Sequence, residues 1–262
     1  MSSEEFERRG SDLYESGDIY AALKTYEDGL DMFPLTPELH TGRGFMYLCL
    51  GEFVQALCAF SAGLTLNPLD PELNKGTGIA LCYLNRADEA MPHLDRAIPY
   101  FRGEEQNLYD ISTALFQACK YEEALVLLDQ VVAVAPQNTD ANYYRALTLH
   151  HIGGRTDEAR AAYEIALSLD PDRIDIAESF VNALYECGLW GEALAVFRRL
   201  DVEDVRDDLL VERMIEVYGR FRGSRRKRSA LRSRLAELRS RSDVDRFIED
   251  LEDEWEAASD EA

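Results

Sequence analysis

Small, large and apolar side chains return along this chain every 34 residues. Small residues stand at Gly10, Gly44, Gly78 and Ser112, and alanines at Ala22, Ala56, Ala90 and Ala124. A large side chain follows each alanine four places later, at Tyr26, Phe60, Leu94 and Leu128, and a proline closes the unit at Pro34, Pro68 and Pro136. Leu13, Tyr47, Leu81 and Leu115 lie three residues beyond the small position, on one face of a first helix. The alanine, the large residue and the small residue after it are spaced i, i+4, i+7, which marks one face of a second helix. Gly17, Gly51 and Gly188 stand where the first helix must stop, as a left-handed C-terminal cap requires. The proline cannot continue the second helix and prepares the first turn of the next unit. The pattern predicts tandem helix–turn–helix units, which stack into a solenoid because one pair cannot bury its apolar face alone.

Two irregularities interrupt the pattern. Pro92 falls inside the predicted second helix of the third unit and Pro99 near its end, so a kinked or shortened helix is expected there. A flex point between units one to two and four to six is the alternative. The fifth unit carries one extra residue at Gly153–Gly154, after which Ala159, Tyr163, Ala166 and Pro171 return in phase. The sixth supplies Leu184, Gly188, Trp190, Ala193 and Phe197 but has no terminal proline.

These residues resemble the tetratricopeptide repeat, with its aromatic near position 4, small residues at 8, 20 and 27, an aromatic at 24 and proline at 32. The resemblance implies an all-α tetratricopeptide-repeat solenoid, a right-handed superhelix of antiparallel helix pairs with C-terminal capping helices. Six units are read at about 3–36, 37–70, 71–104, 105–138, 139–173 and 174–206. A degenerate seventh pair with a basic second helix follows at 207–241, and an acidic amphipathic helix and tail at 242–262. In this family the first helices line a concave groove. Carried onto this chain, the stripe gives Glu7, Ser11 and Tyr14, then Thr41, Phe45 and Leu48, then Lys75, Ile79, Cys82 and Tyr83. Tyr109, Thr113, Phe116 and Gln117 follow, then Tyr143, Leu147, His150 and His151, and last Glu178, Asn182 and Tyr185. Phe45, Ile79 and Leu147 serve equally well as packing between units, whereas the phenols of Tyr83, Tyr109, Tyr143 and Tyr185 favour a wet edge. The Lys and Asn pair by which chaperone-binding members clamp a C-terminal carboxylate is absent, since Glu7, Ser11, Thr41 and Phe45 hold those positions.

Composition narrows the picture further. The net charge is −22, with 50 acidic against 28 basic residues and only four lysines, Lys24, Lys75, Lys120 and Lys227. Such a surface repels nucleic acid and anionic membranes. It is similar to the acid-rich, lysine-poor surfaces of proteins from salt-loving organisms; an ordinary acidic helical protein from a GC-rich genome is the alternative. Ten basic groups in 220–241, including Arg225–Arg226–Lys227–Arg228, adjoin ten acidic groups in 242–262 that neutralise them. In the last segment Val244, Phe247, Ile248, Leu251 and Trp255 form an apolar stripe behind a capping box from Ser242 to Asp245, read as a cap, a removable plug or a helix that docks on a partner. The five cysteines are scattered on mostly apolar helix positions and read as reduced core residues rather than a disulfide frame or a zinc site. No secretory leader and no membrane-spanning apolar run is seen, and a cytoplasmic location is expected.

No nucleophile elbow, phosphate loop, dinucleotide fingerprint or zinc-protease helix occurs. Neighbouring His150 and His151 point about 100° apart on a helix and are poorly placed to chelate one metal. The chain therefore reads as a non-catalytic scaffold without a cofactor, binding a peptide or amphipathic helix of another protein through an aromatic groove. Self-assembly through the terminal helices is the alternative, and a nucleic-acid regulator using the arginine-rich segment the weaker one.

Overall fold

The computed structural model describes residues 1–200, 205, 208–220 and 229–237, and side chains of residues 218–220 lie outside the description. Every regular element among the described residues is helical. The first helices of successive pairs are α1 (Ser3–Glu15), α3 (Pro37–Cys49), α5 (Pro71–Tyr83), α7 (Glu105–Gln117), α9 (Thr139–Ile152) and α11 (Ile174–Glu186). The second helices, in chain order, are α2 (Ile19–Met32), α4 (Phe53–Leu66), α6 (Ala87–Ala97), α8 (Tyr121–Val134), α10 (Thr156–Leu169) and α12 (Trp190–Phe197), and α13 (Asp208–Arg220) follows. Residues 229–237 form a further helical stretch. The residues 221–228 and 238–262, including Arg225–Arg228 and the stripe from Val244 to Trp255, lie outside the described residues.

Local chemistry sets the helix ends. Ser2 and Glu5 form a reciprocal capping box at the start of α1. Asp18 accepts from the Ala21 backbone N–H at 3.0 Å and Asp70 from that of Leu73 at 2.9 Å. Pro37 and Pro71 open α3 and α5, where a missing N–H costs nothing. Each first helix ends on a residue of positive φ: 85° at Gly17, 74° at Gly51 and 74° at Gly188. The same place is held by Asn85 and Cys119, both at φ 57°, so the turn geometry persists where glycine does not. The third unit shows the effect of its prolines. Helix α6 has 11 residues against 14 in α4 and α8, contains Pro92, and passes into a 3-10 turn over Ile98–Tyr100.

The chain divides into two compact units, Met1–Ile152 and Gly153–Ala262. The division falls at the paired glycines rather than at the third unit, and α1 to α9 lie together in the first. Within it, α1 packs on α2 and α3, α3 on α4 and α5, and α5 on α6 and α7. Ala22, Ala56, Ala90 and Ala124 are fully buried, and Tyr26, Phe60, Leu94 and Leu128 are at most 5 % exposed, as the 34-residue pattern requires. The ring of Tyr26 fills a slot floored by Gly10 of its own pair and Gly42 of the next, and Phe60 is held the same way by Gly44 and Gly76. A Cβ on any of these four glycines would overlap the ring it faces.

A second recurrent device ties three of the connections down. His40 Nε2 lies 2.9 Å from the Pro34 carbonyl, while Asn74 and Asn142 donate through Nδ2 to the carbonyls of Pro68 at 3.0 Å and Pro136 at 3.2 Å. In the third unit Arg102 replaces the proline, and Leu108 stands where the polar partner would be.

In the second unit Ala159, Tyr163, Ala193 and Phe197 are buried, and Tyr163 stacks on Phe180 at 4.9 Å between centroids. Leu210, Val211, Met214 and Val217 of α13 are fully buried, and Leu231 is 1 % exposed. Arg234 reaches back to donate two hydrogen bonds to the Val205 carbonyl, at 3.1 and 2.9 Å.

The expectation that the cysteines are core residues holds only for Cys82. Cys49, Cys58, Cys119 and Cys187 are exposed, all as free thiols. Cys119 and Cys187 belong to the turn that ends a first helix, where the apolar period no longer dictates burial. No helix among the described residues is long and apolar enough to cross a membrane.

Candidate functional site

The first helices α1, α3, α5 and α7 line a cavity of about 690 Å³ in the first unit. Lys75, Ile79 and Tyr83 follow one another at i, i+4, i+8 along α5 and so share one stripe of that helix. Tyr14 comes from α1, and Phe45, Leu48 and Cys49 from α3; Gln106, Asp110 and Thr113 come from α7, with Phe53 contributed by the start of α4. Eight residues of the sequence-derived stripe, Ser11, Tyr14, Phe45, Leu48, Lys75, Ile79, Tyr83 and Thr113, thus meet in one concavity. Tyr14 is 47 % and Tyr83 37 % exposed, and Ile79, 6 % exposed, forms wall rather than rim.

The cavity holds two charges in different situations. Lys75 is 5 % exposed; its Nζ lies 2.7 Å from Glu72 Oε2, donates to Asn107 Oδ1, and sits 4.8 and 4.9 Å from the ring centroids of Phe45 and Phe101. A buried ammonium is tolerated here because an anion, an amide oxygen and two ring faces surround it. Asp110 makes no ion pair among the described residues; its Oδ1 accepts from Gln106 Nε2 at 2.7 Å. Burial raises its carboxyl above the usual range, Glu72 adds to the rise, and the Gln106 hydrogen bond and Lys75 oppose it.

The rim responds to the same charge. Cys49, exposed overall but partly covered where it lines the cavity, is raised by that partial burial, and Asp110 adds to the rise against the hydrogen bond from Tyr14. Tyr14 is raised first by Cys49, then by burial, with Asp110 contributing. Burial also raises Tyr83, helped by Tyr144 and Asp110 and opposed by a hydrogen bond with Thr113. Tyr83 stacks on Phe53 with centroids 4.6 Å apart and planes 6° from parallel.

Tyr109, Phe116, Tyr143, His150 and His151 of the stripe belong to a separate aromatic patch. Tyr144 makes edge contacts with Tyr109 at 5.8 Å and Phe116 at 5.6 Å, and Tyr143 lies 5.8 Å from Tyr144. His151 stacks on Tyr121 at 4.9 Å and meets Phe116 at 5.5 Å, with His150 5.8 Å away. Tyr109 and Phe116 also pack on the buried core that includes Leu108, Ile111 and Leu115, so Tyr109 supports the fold as well as facing outward. Leu147 is half-buried. Among the described residues no cluster of His, Cys, Asp and Glu is arranged to hold a metal ion.

Asn182 and Tyr185 lie in the second unit and are engaged by α13. Arg213 donates to Asn182 Oδ1 at 2.7 Å, pairs with Glu186 at 3.0 Å and lies over the Tyr185 ring at 5.1 Å, while the Tyr185 hydroxyl donates to Glu216 at 2.7 Å. A smaller cavity of about 320 Å³, between α10, α11 and α12, is lined by Phe180, Leu184, Glu192 and Arg199.

Sequence reasoning missed Asp110 and Tyr144, and both stand at the sixth place of their units. Gly42 and Gly76 occupy that place in the second and third units, under the Tyr26 and Phe60 rings. The signal was present as a change from glycine to a polar or aromatic side chain at one repeat position.

Helix pairs in tandem, a small-residue seat for one large side chain and a concave face built by first helices define a helical repeat protein. The model of the tetratricopeptide repeat matches residues 8–71 and 109–174. The chain belongs to the tetratricopeptide-repeat proteins. Solved structures share the fold at low identity. The type IV pilus biogenesis factor PilW matches at TM-score 0.62 and 19 % identity, over 88 % of this chain and 97 % of its own. A tetratricopeptide-repeat protein from Parabacteroides merdae matches at 0.61 and 16 %, over 91 % and 92 %. YrrB, described as having an unusual peptide-binding site, matches at 0.53 and 20 %, over 66 % and 89 %. No curated protein matches the chain.

Proposed function

We propose that this protein is a non-catalytic scaffold that holds a segment of a partner protein in the concavity of α1, α3, α5 and α7. The observation that carries this reading is the 690 Å³ cavity whose rim bears the exposed rings of Tyr14 and Tyr83. Tyrosine supplies wide contact area at small entropy loss and dominates binding hot spots. Proteins of this fold serve protein–protein interaction, and YrrB is described as a peptide binder. An extended chain or an amphipathic helix with apolar anchors suits the cavity, and the absent lysine–asparagine clamp disfavours chaperone tails. The patch around Tyr109, Phe116, Tyr143 and His150 extends the same face of the first unit. A cytoplasmic location belongs to the same proposal.

The test uses the full chain and peptides selected from a random dodecapeptide phage library. Tyr14→Ala with Tyr83→Ala should keep the circular dichroism spectrum and abolish binding of the selected peptides. Binding that survives the double substitution would move the site elsewhere.

A further inference from the structure

The cavity contains a cation that the fold has satisfied and an anion that it has not. Lys75 is surrounded by Glu72, Asn107 and the rings of Phe45 and Phe101. Asp110, in the same lining, has one amide donor from Gln106 and no ion pair among the described residues. A half-buried carboxylate whose nearby cation, Lys75, is already paired with Glu72 is an unfavourable arrangement unless something arrives to complete it. The same cavity is lined by Tyr14, Phe45 and Tyr83, and the Phe45 ring already accepts the Lys75 ammonium. Residues 1–152 carry 23 acidic and 10 basic side chains, so the unit's net charge of −13 attracts a basic segment before contact.

We infer that the cavity selects a basic side chain, arginine or lysine, of the bound segment, with its cationic head on the Asp110 carboxylate and its stem along Tyr14, Phe45 and Tyr83. The inference rests on the peptide-binding reading above and names the chemistry of its ligand. A guest cation repeats what Lys75 does internally: it exchanges water for a carboxylate and ring faces in a partly desolvated site, where such contacts gain strength. Apolar residues on either side of the basic one would cover Leu48 and the rim. An acidic segment would meet both Asp110 and the negative field of the unit, and is excluded.

The experiment selects random dodecapeptides against the full chain, then measures each recovered peptide by fluorescence anisotropy against four proteins. These are the wild type, Asp110→Asn, the exposed control Asp95→Asn, and Tyr14→Ala with Tyr83→Ala. Asparagine keeps the shape of Asp110 and can still accept from Gln106, so the fold is retained. The expected result is peptides with Arg or Lys flanked by apolar residues, whose affinity falls about tenfold or more in Asp110→Asn and less than about twofold in Asp95→Asn. Replacing that basic residue by norleucine should remove the dependence on Asp110, closing a double-mutant cycle. Peptides that need the two tyrosines but neither a basic residue nor Asp110 would overturn the inference and leave the groove reading standing. Equal losses in Asp110→Asn and Asp95→Asn would reduce the effect to general surface charge and also overturn it. Peptides indifferent to the tyrosines would overturn both.

Discussion

Gly76 gives its missing side chain to Phe60: the ring lies where a Cβ on that glycine would stand. The two residues belong to consecutive helix pairs, so the slot is a joint between repeats rather than within one. Gly76→Ala should therefore destabilise the first unit by about 1–3 kcal/mol through overpacking. Combining it with Phe60→Leu should cost less than the sum of the two single substitutions. Urea denaturation of the four proteins measures this; additive losses would mean the contact is not shared.

Cys119 takes φ 57° at an exposed turn where Gly17 and Gly51 take 85° and 74°. A non-glycine residue in that region carries about 1–2 kcal/mol of steric cost. Cys119→Gly should raise stability by up to about 1 kcal/mol, part of the gain being lost to the greater freedom of glycine in the unfolded chain. The denaturation midpoint should move upward with an unchanged slope.

Asn74 is fully buried and holds the carbonyls of Pro68 and Asp70 at 3.0 and 2.8 Å, while its Oδ1 accepts from His93 Nδ1 at 3.0 Å. Asn74→Ala strands the Pro68 carbonyl and His93 Nδ1, while the Asp70 carbonyl keeps the backbone N–H of residue 74, and should cost about 1–3 kcal/mol per stranded group at most. Asn142→Ala tests the same device two units on, and a thermal melt of each variant reads the loss.

The pH dependence follows from Asp110. Its carboxyl is raised in the folded chain, so the folded state holds that proton more tightly than the unfolded one. The associated stability is present below the unfolded carboxylate range and is lost as pH rises through the folded value. Asp110→Asn should thus melt higher than the wild type at neutral pH, and the difference should vanish in acid. An unchanged difference across that range would remove the titration of Asp110 as its cause.

The repeat, its helix boundaries and its buried alanines and large residues were legible because stacking forces the same side-chain sizes at the same places. Pro92 likewise announced the shortened α6. The candidate site was legible only in part. Tyr14, Phe45, Leu48, Ile79 and Tyr83 come together because first helices repeat their facing. Tyr109 and Phe116 instead pack partly into the core, and Asn182 and Tyr185 are taken up by Arg213 and Glu216. Asp110 escaped notice because its repeat position is a glycine seat in the second and third repeats and faces the cavity in the fourth. Burial of the thiols was misjudged for a similar reason: Cys119 and Cys187 occupy turns, beyond the reach of helical periodicity.

The slots around Tyr26 and Phe60 also fix how this unit would behave under tension. Each ring is gripped by backbone from two successive pairs, so pulling the chain apart at a seam means withdrawing an aromatic plug from both seats at once. The joints between the first three pairs are therefore locked by the same large side chains that pack within a pair. A stretched molecule would give way there as a block, in one step, rather than peel open pair by pair.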